Sequence, residues 1–118
     1  MRIGPHFYRH EFECHCGCGF DVVDAALLAI LEDIRVHFNR KVKITSGARC
    51  KKRNKDQGGA KNSQHLLGKA ADIIVEETAP SIVAEYLEWK YPFKHGIGTY
   101  RGFTHVDCRD EKARWDKT

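Results

Sequence analysis

A chain of 118 residues, of which 42% are hydrophobic, is long enough to form one small domain with its own core and too short to form two. Charged residues account for 31% of the chain, and no apolar run reaches the roughly 18 residues that a membrane-spanning helix needs. We therefore expect a single domain over residues 1–118 without a membrane span, and its formal net charge of +4 favours anionic partners.

Cysteines are numerous for this length and unevenly placed. They are Cys14, Cys16, Cys18, Cys50 and Cys108. The Cys-x-Cys-x-Cys spacing of the first three is not that of a zinc ribbon. A structural metal held by these three and Cys50, a disulfide from the cluster to Cys50, and a set of reduced thiols all stay open. We divide the chain into a Cys-rich N-terminal segment, residues 1–20, and a core of residues 21–118.

The first predicted element is an amphipathic helix that begins near Asp24 and ends at about Phe38. Asp24 is a good N-cap residue, and Asn39 is a residue that can end a helix. Apolar residues recur within the segment at intervals of three and four, which places them on one face toward the core. They are Leu27, Leu28, Leu31, Ile34 and Phe38.

A strand and a loop follow this helix. The alternating, β-branched run Val42–Ser46 predicts a strand whose end is a common place for binding groups. Residues 51–64 are polar and contain Gly58-Gly59, so we expect a long loop of the kind that often carries function. The basic run Lys51–Lys55 could contact a phosphate backbone, but such runs are more often solvated, and we expect no nucleic-acid partner.

The second half of the chain predicts three further strands and a helix. A strand is expected at residues 70–75, followed by a helix that starts at Pro80 and ends before Tyr91. Residues 96–100 and 103–108 have the pattern of a hairpin. Together the elements predict an α+β fold, with a small antiparallel sheet packed by two main helices.

Two imidazoles and one carboxylate in these segments suit a single metal ion. They belong to His65, which precedes a predicted strand, and to Asp72 and His105, which lie inside predicted strands. Because side chains alternate along a strand, Asp72 and His105 can meet if their strands are neighbours, with His65 added from the preceding loop. Two His and one Asp bind zinc with a fourth position open for water, which is typical of hydrolases.

Several motifs together give the chain a family resemblance. They are Ser46-Gly47-Ala48-Arg49, Asn54, Gly58-Gly59, Ser63-Gln64-His65-Leu66-x-Gly68-x-Ala70-x-Asp72, Gly96-Ile97-Gly98 and His105-Val106-Asp107. This set resembles the zinc D-Ala-D-Ala carboxypeptidases and murein endopeptidases, the LAS-type metallopeptidases, from about Phe12 to Trp115. The Cys-x-Cys-Gly-Cys-Gly segment is similar to a small single-domain branch of that family.

The resemblance implies a role for each matching residue. His65, Asp72 and His105 match the three zinc ligands of the family. Arg49 matches an arginine that binds substrate and stabilises the oxyanion on the attacked carbonyl, a contribution on the order of 3 kcal/mol in the transition state. Further residues that we expect to line the substrate cleft are Ser63, Gln64 and Tyr100.

The chain departs from the family at the general base. Better-studied members have Asp or Glu three residues before the last zinc ligand, where this chain has Gly102. Asp107 lies on the same strand face as His105 and is our predicted base, which would take a proton from water and pass it to the leaving amine. Two alternatives stay open. Either Asp107 only orients His105 or pairs with Arg109, or Asp107 and His105 exchange roles at the metal.

By resemblance, the expected substrates are D-amino-acid-containing stem peptides or cross-links of bacterial peptidoglycan, cut by a D,D-carboxypeptidase or murein endopeptidase activity. Met1–His6 contains no apolar h-region, so we expect a protein made in the bacterial cytoplasm without a signal peptide. We also expect it to be a monomer. Such a protein would act at the cell wall as a phage or prophage lysin does. The alternative is a catalytically inactive zinc-binding domain that recognises the cell wall.

Overall fold

Five strands form one mixed sheet in the computed structural model, which describes residues 1–118. In spatial order the strands are β1 (Val42–Ser46), β2 (Ala70–Val75), β4 (Thr104–Asp107), β3 (Gly96–Tyr100) and β5 (Ala113–Lys117). Neighbouring strands are antiparallel except β3 and β5, which are parallel. The helices are α1 (Ala25–Phe38), α2 (Lys51–Asp56) and α3 (Pro80–Lys90). None of these helices is both long enough and apolar enough to cross a membrane.

The predicted α+β fold class is confirmed, and the elements with strong sequence signals lie where they were expected. The Asp24 carboxylate accepts a hydrogen bond of 2.8 Å from the Ala26 N–H and so caps α1. Asn39 ends α1 in the left-handed conformation, with φ of 51°. Helix α3 begins with Pro80 in its first turn, where the missing N–H of proline costs nothing.

Three parts of the sequence prediction are wrong in detail. The expected loop at 51–64 contains α2, and a short 3₁₀ helix, Gln64–Leu67, begins at its last residue. Helix α2 is polar, and only Asn54 in it is buried, so it has no apolar periodicity to reveal it. Strand β5 was not predicted because Ala113–Lys117 lies at the sheet edge, half-buried or exposed, without apolar alternation. Since β5 pairs in parallel with β3, the sheet is mixed rather than antiparallel.

The two faces of the sheet differ in chemistry. One face packs against α1 and α3 and supplies the hydrophobic core, with the strand residues Val42, Ile44, Ala71, Ile73, Val75, Ile97 and Val106. Because side chains alternate along a strand, the other face carries Asp72 on β2 and both His105 and Asp107 on β4. The core face therefore positions the polar residues on the opposite face.

The N-terminal segment belongs to the same core. Phe7 and Phe12 are buried in the same hydrophobic cluster as the helices and strands. The Ala48 N–H donates a 2.8 Å hydrogen bond to the Phe12 carbonyl, just beyond β1. A Cβ on Gly47 would lie 2.7 Å from the Phe12 Cα, so only glycine allows this close approach. The segment is thereby packed against the chain that leads from β1 to Arg49.

The N-cap of α1 gives a direct test of this account of the helix. Asp24→Ala should lower the free energy of unfolding by about 1 kcal/mol, because the Ala26 N–H loses its partner. Asp24→Asn keeps an acceptor oxygen at that position and should lie within a few tenths of a kcal/mol of the parent chain. Urea unfolding followed by circular dichroism measures both. Equal losses for the two variants would show that the cap bond does not stabilise the helix.

Candidate metal and active site

Three side chains that were predicted as metal ligands meet on the polar face of the sheet. Strands β2 and β4 pair so that Asp72 lies opposite His105, and the carboxylate Oδ1 is 2.9 Å from His105 Nδ1. His65 enters from the Gln64–Leu67 turn, and its Nε2 lies 3.4 Å from Asp72 Oδ2. All three residues are buried, and one ligand atom from each lies within 4.8 Å of the others. The arrangement is suited to a single ion.

Hydrogen bonds behind the two imidazoles determine which nitrogen faces the ion. His65 Nδ1 lies 2.7 Å from the Gly47 carbonyl, which can only accept, so Nδ1 carries the proton and Nε2 is free. His105 Nε2 lies 2.8 Å from the Asp107 carboxylate, which leaves Nδ1 free toward Asp72. Nδ1 and the Asp72 oxygen lie close enough to share either a proton or a metal ion. The donor set therefore fits zinc.

Arg49 lies beside this cluster, as predicted for a substrate-binding residue. Its Nη2 is 3.3 Å from Asp72 Oδ2, and its Nε donates a 3.1 Å hydrogen bond to Ser46 Oγ. A third contact, from Nη1 to Asn54 Oδ1 at 3.3 Å, joins the guanidinium to α2. The three contacts hold a cation in a defined orientation at the edge of the cluster.

A cleft of about 590 Å³ opens over these groups. Of the predicted site residues, Arg49, Ser63, Gln64, His65, Asp72, Tyr100 and His105 line it. Asp107 does not. A larger neighbouring cavity, of about 950 Å³, shares Arg49 and Ser63 with the cleft but contains none of the three ligand residues. The smaller cleft is therefore the one in which the ligand set and Arg49 face a common space.

The model of the peptidase M15 family matches residues 5–107. The chain belongs to the peptidase M15 family. No curated protein sequence is similar enough to count as a match. The predicted membership in the zinc D-Ala-D-Ala carboxypeptidase family is thus confirmed, and it implies a metallopeptidase. The matched range includes every site residue predicted from the sequence.

The charges within the M15 ligand set support one another. Burial raises the pKa of Asp72, but hydrogen bonds from His105 and His65 and their charges outweigh it and hold the pKa well below its usual range. Burial lowers the pKa of His105, yet its hydrogen bonds to Asp107 and Asp72 outweigh that effect and raise it. Asp72 is therefore ionised at neutral pH, and its surroundings favour a positive charge between it and the two imidazoles.

Sequence reasoning missed Trp115, which lies on β5 and lines the cleft of this M15 peptidase. Its ring centroid is 5.0 Å from that of His105, and its Nε1 donates a 2.9 Å hydrogen bond to Tyr100 Oη. The indole crosses Gly98, where a Cβ would overlap it. Because β5 had no sequence signal, the indole could not be placed. Gly98 was the available hint, because it lies between His105 on β4 and Trp115 on β5 in the strand register.

Asp107 lies behind His105 and not in the cleft. Its side chain is completely buried, and its two oxygens accept hydrogen bonds from His105 Nε2, the Gly96 N–H and the Arg109 guanidinium. Burial raises the pKa of Asp107, but the hydrogen bonds from His105 and Arg109 outweigh this and hold it well below its usual range. The imidazole ring itself separates this carboxylate from His105 Nδ1, the nitrogen that faces Asp72.

The cysteines form a second cluster, outside the cleft. The thiols of Cys14, Cys16, Cys18 and Cys50 lie within 4.8 Å of one another, and none is in a disulfide. Cys108 is buried elsewhere and is also a free thiol. The structure therefore brings Cys50 to the N-terminal cysteines, as both the metal and the disulfide hypotheses required.

The packing of Gly96 against Asp107 can be tested by one methyl group. A Cβ on Gly96 would overlap the Asp107 carboxylate, so Gly96→Ala should lower the free energy of unfolding by about 1–3 kcal/mol. Gly102→Ala is the matched control, because a Cβ there meets nothing within 4 Å. Chemical denaturation measures both. If Gly96→Ala is as stable as Gly102→Ala, Asp107 does not occupy the position described here.

Proposed function

We propose that this chain is a zinc-dependent peptidase that hydrolyses D-amino-acid-containing peptide bonds of bacterial peptidoglycan. The observation that carries the proposal is the convergence of His65, Asp72 and His105 beside Arg49 at an open cleft. Membership in the M15 family supports the same conclusion from the sequence. The proposal extends to action at the cell wall, as in a phage or prophage lysin, by a monomer.

His65 Nε2, an Asp72 oxygen and His105 Nδ1 would hold the zinc ion. When bound, zinc would supply a Lewis acid that activates water and polarises the scissile carbonyl. The chain contributes preorganisation, because the Gly47 carbonyl and the Asp107 carboxylate hold both imidazoles in the required orientation before the ion arrives. A preset ligand geometry avoids reorganisation during the reaction.

Arg49 would stabilise the oxyanion that develops on the attacked carbonyl. Its guanidinium is anchored by Ser46 and Asn54 and lines the cleft next to Asp72. Its side chain is only 15% exposed, so little water screens the charge. A fixed cation of this kind stabilises the transition state more than the ground state, because the negative charge is absent from the substrate.

The charge of the cleft supports an anionic substrate. Asp72 is the one carboxylate among the lining residues, whereas Arg49, Arg109 and Lys117 contribute cations. Peptidoglycan stem peptides carry free carboxylates, which a cationic cleft attracts and orients. The aromatic side chains of Tyr100, Phe103 and Trp115 offer an apolar surface for the peptide backbone and small side chains.

We infer that Asp107 positions His105 instead of acting as the base. Its carboxylate has no exposed surface and is engaged by His105, Arg109 and the Gly96 N–H, so no oxygen is left to approach a water in the cleft. Gly102 does not supply a carboxylate either, and it lies in an exposed turn with open space around it. Neither Asp107 nor Gly102 therefore offers a carboxylate base to the cleft. This observation favours the alternative function, a zinc-binding domain that recognises the cell wall without cutting it.

Digestion of purified peptidoglycan and soluble muropeptides tests the proposed activity. The zinc-loaded chain should release fragments with new amine and carboxyl ends, which mass spectrometry identifies, and His65→Ala should release none. His10→Ala, a change of an exposed histidine, should behave as the parent chain does. Binding to cell walls without any cleavage by the zinc-loaded chain would contradict the peptidase and support the recognition domain.

Arg49→Gln should lower kcat by about 100- to 1,000-fold, because the oxyanion loses a fixed cation. Lys52→Gln removes the same charge from an exposed position nearby and should change kcat little. Steady-state kinetics on a muropeptide that the parent chain cleaves separates kcat from KM. A raised KM with an unchanged kcat would restrict Arg49 to substrate binding.

Asp107→Asn distinguishes a positioning role from a base. If Asp107 orients His105, the variant should bind zinc about 10- to 100-fold more weakly, since partners behind a ligand tune metal affinity. Competition with a chromogenic chelator measures that affinity, and Asp110→Asn, an exposed neighbour, is the control. Unchanged zinc affinity with a large loss of kcat would restore Asp107 as the base.

A further inference from the structure

We propose that Cys14, Cys16, Cys18 and Cys50 form a second metal site, which holds a structural zinc ion and joins the N-terminal segment to the chain that carries Arg49. The site is separate from the His65, Asp72 and His105 set, and the inference does not depend on the peptidase activity.

The distances between the sulfurs suit a tetrahedral ion. Cys14 Sγ lies 3.4 Å from Cys16 Sγ and 3.8 Å from Cys50 Sγ, and the Cys16 and Cys50 sulfurs are 3.5 Å apart. A tetrahedron with Zn–S bonds of about 2.3 Å has edges of about 3.8 Å. Cys18 completes the set within 4.8 Å. Four thiolates fill every position of a tetrahedral zinc ion, and such closed sites are structural.

The backbone of the N-terminal loop is shaped to bring these sulfurs together. The Cys14 N–H donates a 2.7 Å hydrogen bond to the Phe20 carbonyl, which closes the loop, and the Gly17 N–H donates to the Cys14 carbonyl at 3.3 Å. Gly17 and Gly19 have φ values of 80° and 87°, in the left-handed region that favours glycine. A Cβ at either glycine would meet nothing within 4 Å, so conformation and not space requires glycine there.

Backbone N–H donors stabilise negative charge on the sulfurs. The Cys50 N–H donates to Cys14 Sγ at 3.4 Å, and the Arg53 N–H donates to Cys50 Sγ at 3.4 Å. Zinc with four thiolates carries a net charge of −2, since binding of the ion releases four protons. The basic run Lys51–Lys55 directly follows Cys50 and can offset that charge. This gives a role to a run that the active site does not use.

A disulfide accounts for the arrangement less well than a metal does. One disulfide would join two of the four thiols and leave the other two without a partner, although all four converge. Cys14 is only 2% exposed, so its sulfur has little contact with water. Its polar contacts are with the Cys16 thiol, the Cys50 thiol and the Cys50 N–H. One central ion satisfies all four sulfurs at once.

The position of the site connects it to the cleft. Cys50 directly follows Arg49, and the Arg49 N–H donates a 3.0 Å hydrogen bond to the His65 carbonyl. On the other side, the Phe12 carbonyl accepts from Ala48. An ion bound by the four sulfurs would tie the segment that follows β1 to the N-terminal loop and so limit the movement of Arg49.

Zinc content in a set of variants tests the proposal. Elemental analysis of protein purified in reducing buffer should give two zinc ions per chain for the parent and one for His65→Ala. The double change Cys16→Ser and Cys18→Ser, at exposed positions chosen to leave folding intact, should also give one. Cys108→Ala removes a thiol outside the cluster and should keep two.

Cobalt substitution identifies the ligands without depending on any variant's stability. The parent chain and His65→Ala should both show the intense near-ultraviolet absorption of thiolate-to-cobalt charge transfer, and the double cysteine variant should lack it. No such absorption in the parent chain would overturn the proposal. So would a parent chain purified without reductant that is lighter by two hydrogens, with Cys50 disulfide-bonded to the N-terminal cluster.

Discussion

The pairing of Asp72 on β2 with His105 on β4 is the constraint on which the candidate site depends. In this register the Asp72 carboxylate lies 2.9 Å from His105 Nδ1, on the face of the sheet opposite α1 and α3. A slip by one residue would turn Asp72 toward the core, because side chains alternate from face to face. Ile73 and Val106 prevent the slip, since both are buried in the hydrophobic cluster. The burial that stabilises the fold therefore also sets the distance between Asp72 and His105.

Small residues and hydrogen bonds convert this pairing into a site with fixed imidazoles. Gly96 leaves room for the Asp107 carboxylate behind His105, and Gly98 leaves room for the Trp115 indole beside it. On the other side, the Gly47 carbonyl orients His65. Gly96 and Gly98 thus make space for the two side chains that contact the His105 imidazole. The same contacts explain why Asp107, only two residues from His105 in sequence, lies behind its imidazole and not in the cleft.

The sequence predicted what periodicity and capping determine, and missed what long-range packing determines. Helix α1, with Asp24 as its cap, and strand β2 have strong local patterns, and the meeting of Asp72 and His105 followed from strand alternation. Strand β5 lacks such a pattern because it lies at the edge of the sheet, half-buried or exposed. Helix α2 lacks one because Asn54 is its only buried residue. The role of Asp107 could not be decided from spacing, since two residues along a strand give the face but not the burial or the partners.

The most direct test of the metal centre is anomalous X-ray diffraction from zinc-loaded crystals, measured on both sides of the zinc absorption edge. The account predicts an anomalous peak bonded to His65 Nε2, an Asp72 oxygen and His105 Nδ1, with its remaining position open to the cleft. A peak bonded to Asp107 or to His105 Nε2, or no peak between β2 and β4, would contradict the ligand assignment and the mechanism built on it.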